Sequence, residues 1–158
     1  MNRLNNGDTF PGLTLQAVGG GTITLPHAVA GSYGVVLVYR GSWCPYCNAQ
    51  LAAFSRATDT LSGLGVRVVA LSVDDEATSA ALVAKHHLAF PVAHSADPDA
   101  IAQATGAYLN DNPRYLQSTG FVLASDSTVL TAVYSSAAIG RLVPDDVTGF
   151  IRYLTTQH

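Results

Sequence analysis

Two rhythms of apolar positions alternate along this chain. Gly34 to Tyr39 is a near-continuous apolar run rich in valine, the pattern of a strand covered on both faces. The run breaks at Gly41-Ser42, and apolar character resumes at Cys47, Leu51, Phe54, Thr58 and Leu61, which lie on one helix face. The spacing predicts a helix beginning near Ser42 or Trp43 and ended by Gly63 and Gly65. Pro45 suits its first turn, where a missing N–H costs nothing. Val66 to Val73 predicts a second covered strand. Asp74-Asp75-Glu76 then opens a helix to about His87, because acids favour a first turn and one aspartate can cap it. Phe90 to His94 reads as a short strand, placed at a sheet edge by Pro91. Asp97 caps a short helix that runs to Ala104, with Pro98 at its first position.

The flanks complete the pattern. Residues 8–25 read as two β runs around Gly19-Gly20-Gly21, a hairpin. Pro26 to Ser32 is a connection. Residues 106–118 form a polar, proline-containing loop. Thr119 to Ala124 and Thr128 to Tyr134 predict a hairpin across Ser125-Asp126-Ser127, and a final helix starts at Pro144 with Val147, Phe150, Ile151 and Leu154 on one face. Strands alternating with helices argue for an α/β fold, with a mixed central sheet and helices on both faces. No repeat or linker divides residues 1–158, so a single domain is expected.

Composition narrows the partners. Apolar residues make up 48% and charged residues 12%, as in a well-packed domain. The net charge is −3 and the eight Lys and Arg are scattered singly, which argues against nucleic acid and anionic membranes. The first ten residues hold no apolar signal core, and no stretch approaches a bilayer span. A cytoplasmic location is therefore expected, where a dithiol works transiently rather than as a structural staple.

The two cysteines, Cys44 and Cys47, sit at the strand-to-helix break. A first helical turn has unpaired N–H groups and a partial positive charge, so a thiol there is stabilised as thiolate, the reactive form. Cys44 is expected to be the nucleophile, with its sulfur toward those N–H groups and solvent, and Cys47 one turn further in. Half a zinc site or a pair of buried structural thiols are the alternatives. His86, His87 and His94 match no zinc spacing, and no metal is expected. Gly19-Gly20-Gly21 lacks the following Lys-Ser/Thr of a phosphate loop, so no nucleotide cofactor is expected. Trp43 and Tyr46 flank Cys44, either as an apolar rim for substrate or as packing at the helix start, the latter favoured for the bulky Trp43.

The β–Trp-Cys-x-x-Cys–α pattern, followed by βαβ and a closing hairpin plus helix, resembles the thioredoxin superfamily. Within it the chain looks most like the peroxiredoxins of the alkyl hydroperoxide reductase/thiol-specific antioxidant group. Gly7-Asp8-Thr9-Phe10-Pro11, Val68 to Asp74, Phe90-Pro91-Val92 and Gly120-Phe121-Val122-Leu123 carry that likeness. The resemblance implies a thioredoxin-like fold with an N-terminal β-hairpin extension, and it aligns Cys44 with the peroxidatic cysteine. The chain departs from the family motif Pro-x-x-x-Thr/Ser-x-x-Cys at Leu37 and Gly41, leaving Ser42 as the nearest hydroxyl. Where the family has a later arginine, this chain has Gln117-Ser118-Thr119, so Arg40 or Arg114 is expected to supply the charge, with Thr119 as a supporting residue. Cys44-Pro45-Tyr46-Cys47 is of glutaredoxin type, yet no proline precedes Thr119 as it would in that family.

Two cycles follow. In one, Cys44 reduces a hydroperoxide, Cys47 resolves the sulfenic acid, and a thioredoxin-like or other thiol donor reduces the disulfide. In the other, Cys44 attacks a protein disulfide and Cys47 resolves the mixed disulfide. Neither requires a cofactor. A non-catalytic redox-sensing interaction module is the third reading, and the resemblance leaves room for a homodimer.

Overall fold

The computed structural model describes residues 3–156. A seven-stranded sheet divides it into two apolar layers. The strands are β1 (Leu13–Ala17), β2 (Thr22–Leu25), β3 (Tyr33–Val38), β4 (Val66–Leu71), β5 (Val92–His94), β8 (Thr119–Leu123) and β9 (Val129–Tyr134), in the order β2-β1-β5-β4-β3-β8-β9. A small separate ladder pairs β6 (Leu109–Asn110) with β7 (Tyr115–Leu116). β3 and β4, and β4 and β5, run parallel, and the other pairs are antiparallel. The helices are α1 (Pro45–Arg56), α2 (Thr58–Gly63), α3 (Glu76–His86), α4 (Pro98–Thr105) and α5 (Pro144–Thr156).

Alternation along the central strands feeds both layers. Val36 and Val38 of β3, with Val69 and Leu71 of β4, face Phe10, Leu25, Phe121 and the α4 residues Ile101 and Ala102. Val35, Leu37, Val68 and Ala70 face the other way, onto Leu51 and Phe54 of α1, Leu82 of α3 and Ile151 of α5. Burial on both faces is what selects the uninterrupted valine runs. Phe121 anchors the first layer, edge-on to Phe10 at 5.2 Å and to Tyr134 at 5.8 Å between ring centroids.

The expected caps hold two of the helices, and the expected prolines begin α1 and α4. Asp75 accepts the Thr78 N–H at 2.8 Å, Asp97 accepts those of Asp99 and Ala100, and Pro45 and Pro98 occupy first-turn positions. Four expectations need correction. The strand after Pro91 is interior: β5 pairs with β4 on one side and with β1 on the other. Pro91 is tolerated because it precedes the paired residues and contributes only its carbonyl, to the Ala70 N–H. The 106–118 loop contains the β6–β7 ladder. The long helix is two, broken at Ala57, where the Thr58 hydroxyl donates to the Ser55 carbonyl at 2.6 Å and competes with the backbone ladder. It also begins later than expected, at Pro45, because Gly41 to Cys44 form a turn closed by the Cys44 N–H on the Gly41 carbonyl.

Replacing Phe121 with alanine empties the centre of one layer and should lower stability by about 3–5 kcal/mol. Asp75→Ala removes only a cap and should cost about 1 kcal/mol. Urea denaturation of the two variants checks this ranking.

Candidate active site

β3 ends at Val38, and two residues later Arg40 turns the chain back over the start of α1. The Arg40 N–H donates to Cys47 Sγ at 3.3 Å. Gly41 carries no side chain because a Cβ there would fall inside the Trp43 indole, which lies across it. The family hydroxyl therefore has no room at this position. Ser42 is fixed by its backbone instead: its N–H donates to Asp74 Oδ2 at 2.8 Å, and its carbonyl accepts from Asn48 Nδ2 at 2.9 Å. Its hydroxyl donates to neither sulfur, so the expected serine contribution is not seen in this arrangement.

Cys44 is the N-cap of α1. Its Sγ accepts the Cys47 N–H at 3.3 Å, the place a serine or aspartate oxygen takes in an ordinary cap. Both thiols are free, and both cysteines are 0% exposed. The expectation that Cys44 faces solvent is thus overturned. Trp43, expected to pack inward, is instead exposed, edge-on to Tyr115 at 4.9 Å, and Tyr46 is exposed as well.

Two guanidinium groups close over the sulfurs. Arg40 Nη1 lies 3.7 Å from Cys44 Sγ. Its Nε donates to Gln117 Oε1 at 3.0 Å and its Nη2 to the Tyr115 hydroxyl at 2.9 Å, while its plane lies against the Trp43 ring. Gln117, two residues before β8, aims the Arg40 guanidinium. Arg141, from the loop between β9 and α5, brings Nη2 to 3.2 Å from Cys47 Sγ and 3.8 Å from Cys44 Sγ. Arg114 is elsewhere, ion-paired with Asp99 and Asp111 on the surface. Thr119 is buried in β8 and donates its hydroxyl to the Gln117 carbonyl rather than to a sulfur.

Sequence reasoning missed Arg141, and with it Tyr115 and Gln117 as partners of Arg40. The only local signal for Arg141 is the preceding Gly140, whose φ of +94° suits glycine and turns the loop inward. A groove of about 620 Å³ runs beside the pair, lined by Tyr46, Ala49, Ala53, Ile139, Arg141 and Val143. Neither cysteine lines it. Among the described residues no three His, Cys, Asp or Glu side chains converge to hold a metal, and no helix is long and apolar enough to cross a membrane.

The electrostatics separate the two thiols. Burial pushes Cys44 up, but the hydrogen bonds from the Cys47 thiol and backbone N–H, with Arg40 and the charge of Arg141, outweigh it and hold Cys44 below its ordinary value. Burial and the neighbouring Cys44 push Cys47 above its ordinary value, against the Arg40 N–H and Arg141.

The mixed sheet, with a parallel strand leading into the Cys-x-x-Cys helix, is a thioredoxin-like fold. The AhpC/TSA family model matches residues 6–131, and the chain belongs to that family of peroxiredoxin-type oxidoreductases. Solved structures with the same fold include Mycobacterium tuberculosis AhpC, with a TM-score of 0.83 and 22% identity over 99% of this chain and 96% of that one. The peroxidoxin BcpB from Mycobacterium tuberculosis gives 0.82 and 19% over 96% and 99%. Peroxiredoxin 6 of Arenicola marina gives 0.84 and 16% over 96% and 74%. No curated protein matches the sequence. Arg141 falls outside the stretch that the family model covers.

A lowered thiol stays ionised as pH falls below its ordinary value, and a raised one stays protonated above it. Ultraviolet titration of the reduced protein should therefore resolve two thiolate steps, one on each side of about 8.5. Arg40→Gln should move the lower step upward. A single step at the ordinary value would contradict the geometry.

Proposed function

We propose that the protein is a thiol peroxidase, acting as one thioredoxin-like domain in the cytoplasm, with Cys44 as the peroxidatic and Cys47 as the resolving cysteine. The observation that carries this reading is the enclosure of Cys44 Sγ. It is wholly buried, yet it accepts a backbone N–H and lies within 4 Å of two guanidinium groups. A small polar oxidant can reach such a sulfur after a side-chain shift.

In the first step Cys44 thiolate attacks the terminal peroxide oxygen. An S–O bond forms, the O–O bond breaks, and the alkoxide leaves to take up a proton as alcohol or water. The sulfur is oxidised by two electrons to sulfenic acid. Arg40, held by Gln117 and Tyr115, offers N–H groups to the charge that develops on the leaving oxygen. That role replaces the hydroxyl for which Gly41 leaves no room. Cys47 then displaces hydroxide from the Cys44 sulfenic acid, giving the disulfide. A thioredoxin-like or other dithiol donor supplies the two electrons that restore the pair.

The exposed Trp43 and Tyr46 favour a second reading, in which the rim receives a protein disulfide and the chain acts as a thiol–disulfide oxidoreductase. In the first reading the same rim receives the reducing partner.

Stopped-flow mixing separates the two. Reduced protein should consume hydroperoxide at least about 100-fold faster than a free thiol, the scale expected of preorganised donors. Cys44→Ser should abolish this, while insulin disulfide is reduced slowly. Peroxide consumption no faster than that of a free thiol, together with rapid insulin reduction, would replace the first reading with the second.

A further inference from the structure

The two arginines do not serve the two sulfurs equally. Arg40 puts its guanidinium toward Cys44 and only its backbone N–H on Cys47. Arg141 Nη2 is closer to Cys47 Sγ, at 3.2 Å, than to Cys44 Sγ, at 3.8 Å. Cys47 therefore has two N–H donors within 3.3 Å.

The loop that carries Arg141 is built to hold it there. Ser135 Oγ donates to the Ile139 carbonyl and lies 3.0 Å from the Ala137 carbonyl, and the Ser135 N–H joins the Ser118 carbonyl. Gln50 Nε2, on α1 itself, donates to the Leu142 carbonyl at 2.8 Å. Leu142 packs onto Gly120 of β8, where a Cβ would stand only 3.0 Å from the Leu142 Cβ. Arg141 Nη1 is tied to the Ala138 carbonyl, and the Tyr46 ring lies 5.8 Å from its guanidinium carbon. Its buried Nε has no acceptor among the described residues, a cost the loop bears while holding Nη2 on the sulfurs.

We propose that Arg141 is the catalytic residue of the second half of the cycle, holding Cys47 Sγ as the nucleophile that resolves the Cys44 sulfenic acid, with Arg40 serving Cys44. The proposal rests on the peroxidase reading above. The titratable and charged groups around Cys47 are Cys44, Arg40, Arg141 and Tyr39. While Cys44 is a thiolate, its negative charge opposes ionisation of Cys47, so only one nucleophile exists at a time. Oxidation of Cys44 to a neutral sulfenic acid removes that opposition. The Arg40 N–H and Arg141 are left facing Cys47 and favour its thiolate at the moment it is needed. The step balances: Cys47 S⁻ attacks Cys44 Sγ, the S–S bond forms, the S–O bond breaks, and hydroxide leaves and takes a solvent proton to become water.

The test follows both halves of one turnover. Reduced protein is mixed with one equivalent of hydrogen peroxide, and peroxide loss, dimedone-trapped sulfenic acid and disulfide are measured across pH. Arg141→Gln should slow disulfide formation about tenfold or more beyond whatever it costs peroxide loss, so that sulfenic acid accumulates. The deficit should shrink as pH rises, because hydroxide can then ionise Cys47 unaided, and Arg141→Lys should restore most of the rate. Equal slowing of both halves, or unchanged disulfide formation, would overturn the proposal.

A second arm needs no peroxide. In Cys44→Ser, Cys47 should titrate lower than in the reduced native pair, and adding Arg141→Gln or Arg141→Lys should move it upward strongly or slightly, respectively. If Cys47 does not move in this arm, the proposal fails even where the peroxidase is active. If it moves as expected in a protein that consumes no peroxide, the peroxidase reading alone fails.

Discussion

The hydrogen bond from the Cys47 N–H to Cys44 Sγ is the contact on which the site depends. It makes a sulfur do the work of a helix cap, so the proposed nucleophile is fixed by the same interaction that starts α1. Helix capping normally uses an oxygen because a first turn needs an acceptor. Putting a thiol there turns that need into a preference for the thiolate. Pro45 fits because its position requires no donor. Asp74 and Asn48 hold Ser42, so the turn before the cap cannot drift.

Around that contact the protein replaces a missing hydroxyl with charge. Trp43 fills the space beside Gly41, and the same ring lies against Arg40. Gln117 and Tyr115 take two of the remaining donors of Arg40. The loss of one hydrogen-bond donor and the gain of an aromatic shelf for a guanidinium are thus parts of one arrangement. Burial alone would raise both thiols. The donors reverse this for Cys44 and fail to for Cys47, so two chemically identical groups are held at different proton affinities.

Local signals in the sequence were reliable where the physics is local. The valine runs of β3 and β4, the caps at Asp75 and Asp97, the prolines of α1 and α4 and the Cys-x-x-Cys itself all follow from neighbours within a few residues. Features set across long stretches of chain were not legible. Arg141 reaches the sulfurs from 97 and 94 residues away, and its one local mark, Gly140, does not say where the side chain goes. β5 is interior because a hairpin from the chain's start pairs with it. Trp43 is exposed because Gly41 and Tyr115 give its ring a seat outside the core, which bulk and hydrophobicity do not reveal.

The central claim is that Cys44, the buried cap, is the atom that takes the oxygen. Peptide mapping by mass spectrometry of reduced protein exposed to substoichiometric peroxide, with dimedone present throughout, tests it most directly. The account predicts the adduct on Cys44 with Cys47 unlabelled. An adduct on Cys47, or on neither cysteine, would contradict it.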